Sequence, residues 1–154
     1  MKYNTEKRKF GLAELTWLLI GVLLLLLIGI VAKGQQPPVY AEYRGVSLGM
    51  TALDVRTKLG EPVMKSDEQD YFVISTSETV QIVYQGQQVV TISTDYTGGA
   101  GAPDYRSVVG DSLLQRPDGS LFSMVFHNAQ GFWVTYNKSA STVPVVTITI
   151  GRMK

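Results

Sequence analysis

The sequence predicts an α+β protein in which one N-terminal transmembrane helix is followed by a small domain of short helices packed on an antiparallel sheet of about six strands. Three observations predict this class. A long apolar run lies near the N-terminus, and one short segment carries both a helix start signal and a helix stop signal. Six segments rich in β-branched and aromatic residues are separated by turn residues. We expect the helices to cover one face of the sheet.

The apolar run predicts a membrane span at residues 11–32. The stretch LTWLLIGVLLLLLIGIVA, residues 15–32, contains no charge. A helix over residues 11–32 would reach about 33 Å, which exceeds a hydrocarbon core of roughly 30 Å. The basic leader, residues 1–10, holds four Lys and Arg residues. By the positive-inside rule we expect a single-pass protein of the cytoplasmic membrane, with a cytoplasmic N-terminus and an extracytoplasmic, periplasmic C-terminal domain.

A cleaved signal peptide is the alternative interpretation of the same segment. The basic leader suits a signal peptide, but the apolar run is long for one and VAKGQQ is a poor cleavage site. We therefore favour an uncleaved anchor that contacts the lipid bilayer through residues 11–32. Gly21 and Gly29 lie on one face of that helix, where small residues let a neighbouring helix approach closely. Glycine is also common in membrane helices without any packing role.

The rest of the chain has the composition of one exported domain. A proline-containing spacer, residues 33–41, leads into residues 42–154. Residues 34–154 carry nine Lys and Arg against eleven Asp and Glu, so nothing indicates a nucleic-acid partner. The chain has no cysteine, which excludes disulfides, thiolate metal sites and a lipid-modified N-terminal cysteine. We expect no metal, no cofactor and no small-molecule substrate.

A short helix is predicted at residues 51–59. Thr51 is a plausible N-cap, and Val55 and Leu59 share one helical face. Gly60 suits the left-handed position after the helix, and Pro62 prevents the helix from continuing. Gly49 is expected to permit the turn that leads into this helix.

Six strands are predicted from alternation and turn signals. The segments are residues 71–75, 78–85, 88–94, 120–127, 131–137 and 144–151. Short hairpins between them indicate an antiparallel sheet. The side chains expected to point into the core from the fourth and fifth segments are Phe122, Met124, Phe126, Phe132, Val134 and Tyr136.

The domain divides at a glycine-rich loop into two halves of similar order. EYRGVSLGMT, residues 42–51, and DYRSVVGDS, residues 104–112, align with one deletion. The alignment predicts two αβββ repeats, residues 42–96 and 104–151, the second with a stunted helix in SLLQR, residues 112–116. Chance similarity is the alternative, because few residues are shared.

Ser47 lies in GVSLG, residues 45–49, which matches the G-x-S-x-G pattern of a nucleophile elbow. An elbow needs a buried parallel strand before the serine and a long helix directly after it. Here a proline-containing spacer precedes Ser47, and the helix cap comes four residues later. His127 is the only histidine, so it is the only candidate base, and alone it makes no zinc site. We therefore predict no catalytic residue and no enzyme.

Trp133 is the predicted anchor for a protein partner. If its neighbours in the strand point inward, Trp133 points outward, near Val125 and His127. Tryptophan exposed on a sheet face often carries much of the binding energy of a protein interface. The alternative is that a helix or the second half covers it.

The run GVSLGMTALDVRTKLGEP, residues 45–62, resembles the signature of the small outer-membrane assembly lipoproteins, the SmpA/OmlA or BamE-like domain. The family pattern is an apolar pair, Gly-Met-Thr/Ser, a short helix with a central valine, and Leu-Gly-x-Pro. The matching residues are Val46, Leu48, Gly49, Met50, Thr51, Val55, Leu59, Gly60 and Pro62. The resemblance implies helices on a three-stranded antiparallel sheet, outside the cytoplasmic membrane, that contacts other proteins. The duplicated arrangement is also similar to the tandem repeats of the β-lactamase inhibitor protein.

The function predicted from these observations is that of a non-enzymatic, single-pass membrane protein. Its extracytoplasmic module would bind other subunits of a larger membrane complex, as an accessory or assembly subunit. The alternative is a membrane-tethered inhibitor or ligand-binding domain that acts on an extracytoplasmic enzyme. A sheet face lined by exposed aromatic side chains, with Trp133 at its centre, would favour that alternative.

Overall fold

The computed structural model describes residues 39–154, which form two short helices, one 3₁₀ turn and ten strands. The helices are α1 (Ala52–Leu59) and α2 (Tyr105–Val109), and the 3₁₀ turn is Asn128–Gln130. The strands are β1 (Glu42–Tyr43), β2 (Val46–Ser47), β3 (Met64–Lys65), β4 (Gln69–Val73), β5 (Glu78–Gln85), β6 (Gln88–Thr97), β7 (Leu114–Gln115), β8 (Leu121–His127), β9 (Phe132–Lys138) and β10 (Val145–Arg152). Strands β1 and β2 make a separate hairpin, and the others form one antiparallel sheet in the order β3-β4-β5-β6-β10-β9-β8-β7.

This architecture corrects the fold class predicted from the sequence. The described residues are 47% strand and only 14% helical, and the sheet has eight strands instead of about six. The two additional strands, β3 and β7, have two residues each, too few to produce a visible alternation. No helix within residues 39–154 is long and apolar enough to cross a membrane. The predicted span, residues 11–32, lies outside the described residues.

The two halves of the sheet have the same order of elements. Each consists of one helix followed by four strands, and the halves meet where β6 pairs with β10, with Ile92 opposite Ile150. Both helices end in the same way. The N–H groups of Gly60 and Gly110 donate to the carbonyls of Arg56 and Arg106, at 2.9 and 3.0 Å. The order of elements is thus common to both halves, while their origin by duplication stays a prediction.

The second helix does not lie where the sequence alignment placed it. Asp104 accepts the N–H of Arg106 through its carboxylate at 2.9 Å and is the N-cap of α2. The helix expected at residues 112–116 is instead the strand β7. The sequence alignment is wrong because it matched residues of β1 in the first half to the cap of α2 in the second. It therefore paired Gly110 with Gly49, whereas in the structure Gly110 follows α2 as Gly60 follows α1.

The core lies on one face of the sheet, beneath the helices and the β1–β2 hairpin. We call this side the helix face. Alternation along the strands sends every second side chain to it. Its largest fully buried side chains are Phe72, Ile82, Ile92, Ile148, Ile150, Val80, Val89 and Val134, together with Val46 and Val55 from the elements that cover them.

The orientation predicted for the fourth strand segment is wrong. Phe122, Met124 and Phe126 point away from the helix face, because their neighbour Ser123 is the buried member of β8 at 2% exposure. In β9 the predicted inward residues do lie in the core. The register explains the difference, since Ser123 pairs with the buried Tyr136 and shares its face.

A buried ion pair joins α1 to the sheet. The guanidinium of Arg56 donates to both carboxylate oxygens of Asp70, at 2.8 and 3.0 Å, and the hydroxyl of Tyr84 donates to the same carboxylate at 2.8 Å. Asp70 is completely buried. Three charge-assisted hydrogen bonds therefore satisfy a carboxylate that would otherwise be costly to bury.

A second polar cluster holds the β1–β2 hairpin on the sheet. The hydroxyl of Tyr43 donates to Glu78 at 2.9 Å, and the guanidinium of Arg44 donates to the other carboxylate oxygen at 2.7 Å. Arg44 has a positive φ of 47° in the tight turn, and its Nε donates to the hydroxyl of Tyr43 at 3.1 Å. The hairpin is thus fixed at one point by its core residues and at another by this cluster.

The buried tyrosines predict a loss of stability at alkaline pH. Burial, followed by hydrogen bonding to Asp70, raises the pKa of Tyr84, and burial followed by a hydrogen bond to Glu78 raises the pKa of Tyr43. A tyrosine whose pKa is higher in the folded state than in the unfolded state adds to the free energy of unfolding. This contribution is complete below the unfolded-state pKa of about 10, and it is lost as pH rises through the folded-state pKa. We expect urea-unfolding midpoints to fall from about pH 10 upward, and Tyr84→Phe to make that fall shallower. An unchanged slope in the variant would contradict the assignment.

Candidate binding surface

The face of the sheet opposite the helices is not covered by any element of residues 39–154. We call it the open face, and it carries Tyr71 on β4, Gln81 on β5, Ser93 on β6, Thr149 on β10 and Trp133 on β9. These five side chains are all partly exposed, whereas their neighbours along each strand are buried. Antiparallel sheets commonly pack one face on the core and leave the other in contact with solvent, so this face is available to another protein.

The centre of the open face is polar and internally hydrogen-bonded. The hydroxyl groups of Ser93 and Thr149 lie 3.0 Å apart across the junction of the two halves. Next to them the hydroxyl of Thr147 donates to the carboxylate of Asp95 at 2.6 Å. These bonds link β6 to β10. The side chains that make them are small, so the surface at the centre of the open face is flat.

One end of the open face is apolar. We call the cluster there the edge patch, and it consists of Leu114, Phe122, Met124, Phe126 and Trp133. Leu114, Met124 and Phe126 are 68%, 38% and 56% exposed, and neighbouring exposed apolar side chains can mark an interaction site. The guanidinium of Arg116 lies 4.5 Å from the ring centre of Phe122, which places a cation at the border of the patch.

Trp133 lies across the backbone of Gly151. A Cβ atom built on Gly151 would come within 2.2 Å of the indole, so the ring occupies the space that any other residue would fill. Beside the indole is a groove of about 470 Å³. Its lining residues are Gln85, Val90, Thr91, Trp133, Arg152, Met153 and Lys154. The groove thus combines an aromatic wall with two cationic side chains.

The three residues predicted to form a partner contact are not together. Trp133 lies on the open face, but Val125 and His127 of β8 lie on the helix face with the core. The imidazole of His127 stacks on Phe132, with ring centres 4.6 Å apart, and its Nε2 is buried without a hydrogen-bond partner among residues 39–154. Only Trp133 of the three is therefore placed to contact another protein across the open face.

The residues predicted to form the first short helix and its ends lie on the other side of the domain, and we call them the helix module: Gly49, Thr51, Val55, Leu59, Gly60 and Pro62. The Thr51 hydroxyl accepts the N–H of Asp54 at 3.2 Å, Val55 is completely buried and Leu59 packs against the core. Gly60 has a φ of 87° and a ψ of −161°, a conformation open to glycine but outside the left-handed helical region that was predicted.

Gly49 and Pro62 flank this helix. Gly49 has a φ of 85°, and its N–H donates to the carbonyl of Val89 at 2.8 Å, which joins the chain to the start of β6 before the helix begins. Pro62 follows the helix by three residues. All six module residues therefore shape or end α1, and none reaches the open face. Gly21 and Gly29, predicted to pack in the membrane, lie outside the described residues.

Ser47 is part of the β1–β2 hairpin and has no nucleophile-elbow geometry. It ends a two-residue strand, and its carbonyl accepts the N–H of Met50 at 3.3 Å in the turn that precedes α1. Within residues 39–154 the Nε2 of His127 has no hydrogen-bond partner, so Ser47 is not bonded to it, and no group of three His, Asp or Glu side chains could hold a metal ion. The absence of catalytic, metal and cofactor sites stays a prediction for the chain as a whole.

The edge patch was not predicted from the sequence. In the segment LFSMVFH, one alternating set of side chains is wholly apolar, whereas the other set contains Ser123 and His127. Alternation therefore indicated that the wholly apolar set faces the core, and this set is the one that lies on the open face. A small polar residue can be buried beneath a helix at little cost in packing, whereas exposed aromatic residues need a different explanation.

Comparisons with known proteins found no similar family, sequence or structure. No family model matches the chain, no curated protein matches it and no solved structure matches it. The resemblance of residues 45–62 to the small outer-membrane assembly lipoproteins therefore stays a prediction.

Proposed function

We propose that this chain is a non-enzymatic, membrane-attached protein whose domain binds other proteins across its open face, as an accessory or assembly subunit of a larger membrane complex. The main support for this proposal is that the open face is uncovered and has the apolar edge patch at one end. Aromatic residues, methionine and arginine are enriched in protein interfaces, and the patch and its border contain all of them. Membrane attachment through residues 11–32 rests on the sequence alone.

The polar centre of the open face supports a protein partner over a small molecule. Ser93 is hydrogen-bonded to Thr149, and Asp95 to Thr147, across the strands, so these side chains form a flat platform and not a pocket. Small ligands are usually held in concave sites that enclose most of their surface. A partner that covers the platform and places side chains on the edge patch fits this arrangement.

A second candidate is a membrane-tethered inhibitor or ligand-binding domain. Trp133 favours it, because the indole is partly exposed on the open face beside a groove lined by Arg152 and Lys154. Trp133 does not lie at the centre of the sheet, however, since four strands lie between β9 and the edge strand β3, and only one lies between β9 and the edge strand β7. The first candidate uses the whole face, and the second uses mainly the groove.

The test is an interface-blocking substitution at the centre of the open face. Thr149→Arg places a long charged side chain on the platform, and Thr57→Arg places the same side chain on the exposed surface of α1 on the other side of the domain. After extraction in mild detergent, we expect partners of the wild-type chain to be lost from Thr149→Arg and retained by Thr57→Arg. Retention by both variants, or a wild-type chain without any co-purifying protein, would overturn the proposal.

A segment exchange distinguishes the two candidates. Replacing residues 11–32 by an unrelated apolar sequence keeps the domain and its open face intact. A complex subunit that also makes contacts through this segment would lose its partners, whereas a tethered inhibitor or ligand-binding domain would keep its target. Quantitative mass spectrometry of the co-purified proteins gives the result.

A further inference from the structure

Strand β8 has a free backbone edge next to the edge patch. Strand β7 pairs only with Leu121 and Phe122, although β8 continues to His127. In an antiparallel ladder, the N–H and C=O groups of successive residues point alternately to the two sides. The carbonyl of Ser120 points to the outer side, because it accepts the N–H of Arg116 at 2.8 Å. Met124 and Phe126 are four and six residues further along, so their N–H and C=O groups also point to the outer side. Within residues 39–154 no strand lies beside them there.

The matching edge in the first half is occupied. The carbonyls of Gln69 and Tyr71 on β4 accept the N–H groups of Ser66 and Val63, each at 2.9 Å. Charged side chains also surround that edge in the segment KSDEQD, residues 65–70. Unpaired strand edges are usually protected by charge, proline or a bulge. Strand β8, with the sequence LFSMVFH, contains no proline and no Lys, Arg, Asp or Glu, and it pairs with β9 in unbroken register.

We propose that two copies of this chain dimerise by antiparallel pairing of β8 with the partner's β8, around a two-fold axis at Val125. The pairing sets Met124 opposite the partner's Phe126, and Phe126 opposite the partner's Met124. Because both residues point their backbone groups outward, each of these two pairs exchanges an N–H···O bond in both directions. The interface is self-complementary, as a two-fold dimer requires.

Apolar contacts and charge both favour a second copy as the occupant. Met124 and Phe126 lie on the open face, so the edge patches of the two copies join across the axis and cover one another's exposed side chains. The paired segment, residues 123–127, brings no like charges together, since it contains no Asp, Glu, Lys or Arg. The two open faces then form one continuous surface of sixteen strands with an apolar centre.

Disulfide trapping of Val125→Cys tests the pairing in the full chain. The chain contains no cysteine, so one substitution introduces the only thiol. Val125 and the partner's Val125 form a non-hydrogen-bonded pair, whose Cα atoms lie about 4.5 Å apart, within the range that a disulfide spans. We expect mild oxidation to crosslink Val125→Cys and to leave Thr79→Cys, on β5 far from the axis, uncrosslinked. Equal crosslinking of the two variants, or none in either, would overturn the proposal.

Sedimentation equilibrium of the full chain in mild detergent gives an independent measurement. Met124→Pro removes an outward N–H without breaking a bond to β9, and Met124→Ala shortens the side chain but keeps the N–H. Two hydrogen bonds are lost per dimer in Met124→Pro, so its dissociation constant should rise at least about tenfold over that of Met124→Ala. A monomeric wild-type chain, or a dimer equally stable in both variants, would contradict pairing through β8.

Discussion

Replacing Asp70 by alanine should lower the free energy of unfolding by about 3–5 kcal/mol, the usual cost of removing one partner of a buried ion pair. The substitution leaves the guanidinium of Arg56 and the hydroxyl of Tyr84 without the carboxylate that both bind. Arg56 is only 19% exposed, so water replaces the carboxylate incompletely. The helix α1 loses its polar link to the sheet at the same time.

Two further variants show whether the loss of stability comes from breaking the ion pair or from removing any carboxylate. Asp95→Ala removes a carboxylate that accepts one hydrogen bond on the open face, and we expect a loss of about 1 kcal/mol or less. Replacing Asp70 and Arg56 together by leucine and methionine should recover most of the lost stability, because no charge is then left unpaired. Urea unfolding measures all four proteins. A double variant as unstable as Asp70→Ala would show that the loss in free energy of unfolding does not come from an unpaired charge.

Gly151→Ala should destabilise the domain by about 1–3 kcal/mol and displace Trp133. The added Cβ atom would lie 2.2 Å from the indole, closer than any real contact, and the ring rather than the central strand β10 is able to move. The groove beside Trp133 would change shape with it, so the substitution tests stability and the candidate surface together.

Fluorescence follows this displacement once the other tryptophan is removed. In a Trp17→Phe background Trp133 is the only tryptophan of the chain, and its emission should shift to longer wavelength when Gly151→Ala exposes the ring. Combining Gly151→Ala with Trp133→Ala removes the clash, so the double variant should lose less stability than the sum of the single variants. Additive losses and an unshifted emission would contradict the contact between Gly151 and the indole.

The first helix could be predicted because its signals are local. Thr51, Val55 and Gly60 act within a few residues of one another, through a cap, a buried face and a backbone conformation that favours glycine. The second helix could not be placed in the same way. Its cap, Asp104, follows a glycine-rich loop, and its five residues are too few to establish a periodicity.

The candidate surface could be predicted only in part. Trp133 was expected to point outward, and it does lie on the open face, because β9 alternates clearly between apolar and polar residues. Val125 and His127 were assigned to the same side in error. In β8 the more apolar set of side chains lies on the open face, because Ser123 pairs with the buried Tyr136 and shares its face.

By itself the sequence determined where most strands begin and end, where the first helix is capped, and that the domain holds itself together without disulfides. These properties follow from dihedral preferences, turn residues and composition, which act over short stretches of chain. The tertiary structure decided the number of strands in the sheet, the pairing of β6 with β10, and which face of each strand the helices cover. Those outcomes depend on contacts between residues that are far apart in the chain, such as Arg56 with Asp70 on β4, or the hydrogen-bonded hydroxyls of Ser93 and Thr149. The open face and the free edge of β8 exist only as a result of that arrangement.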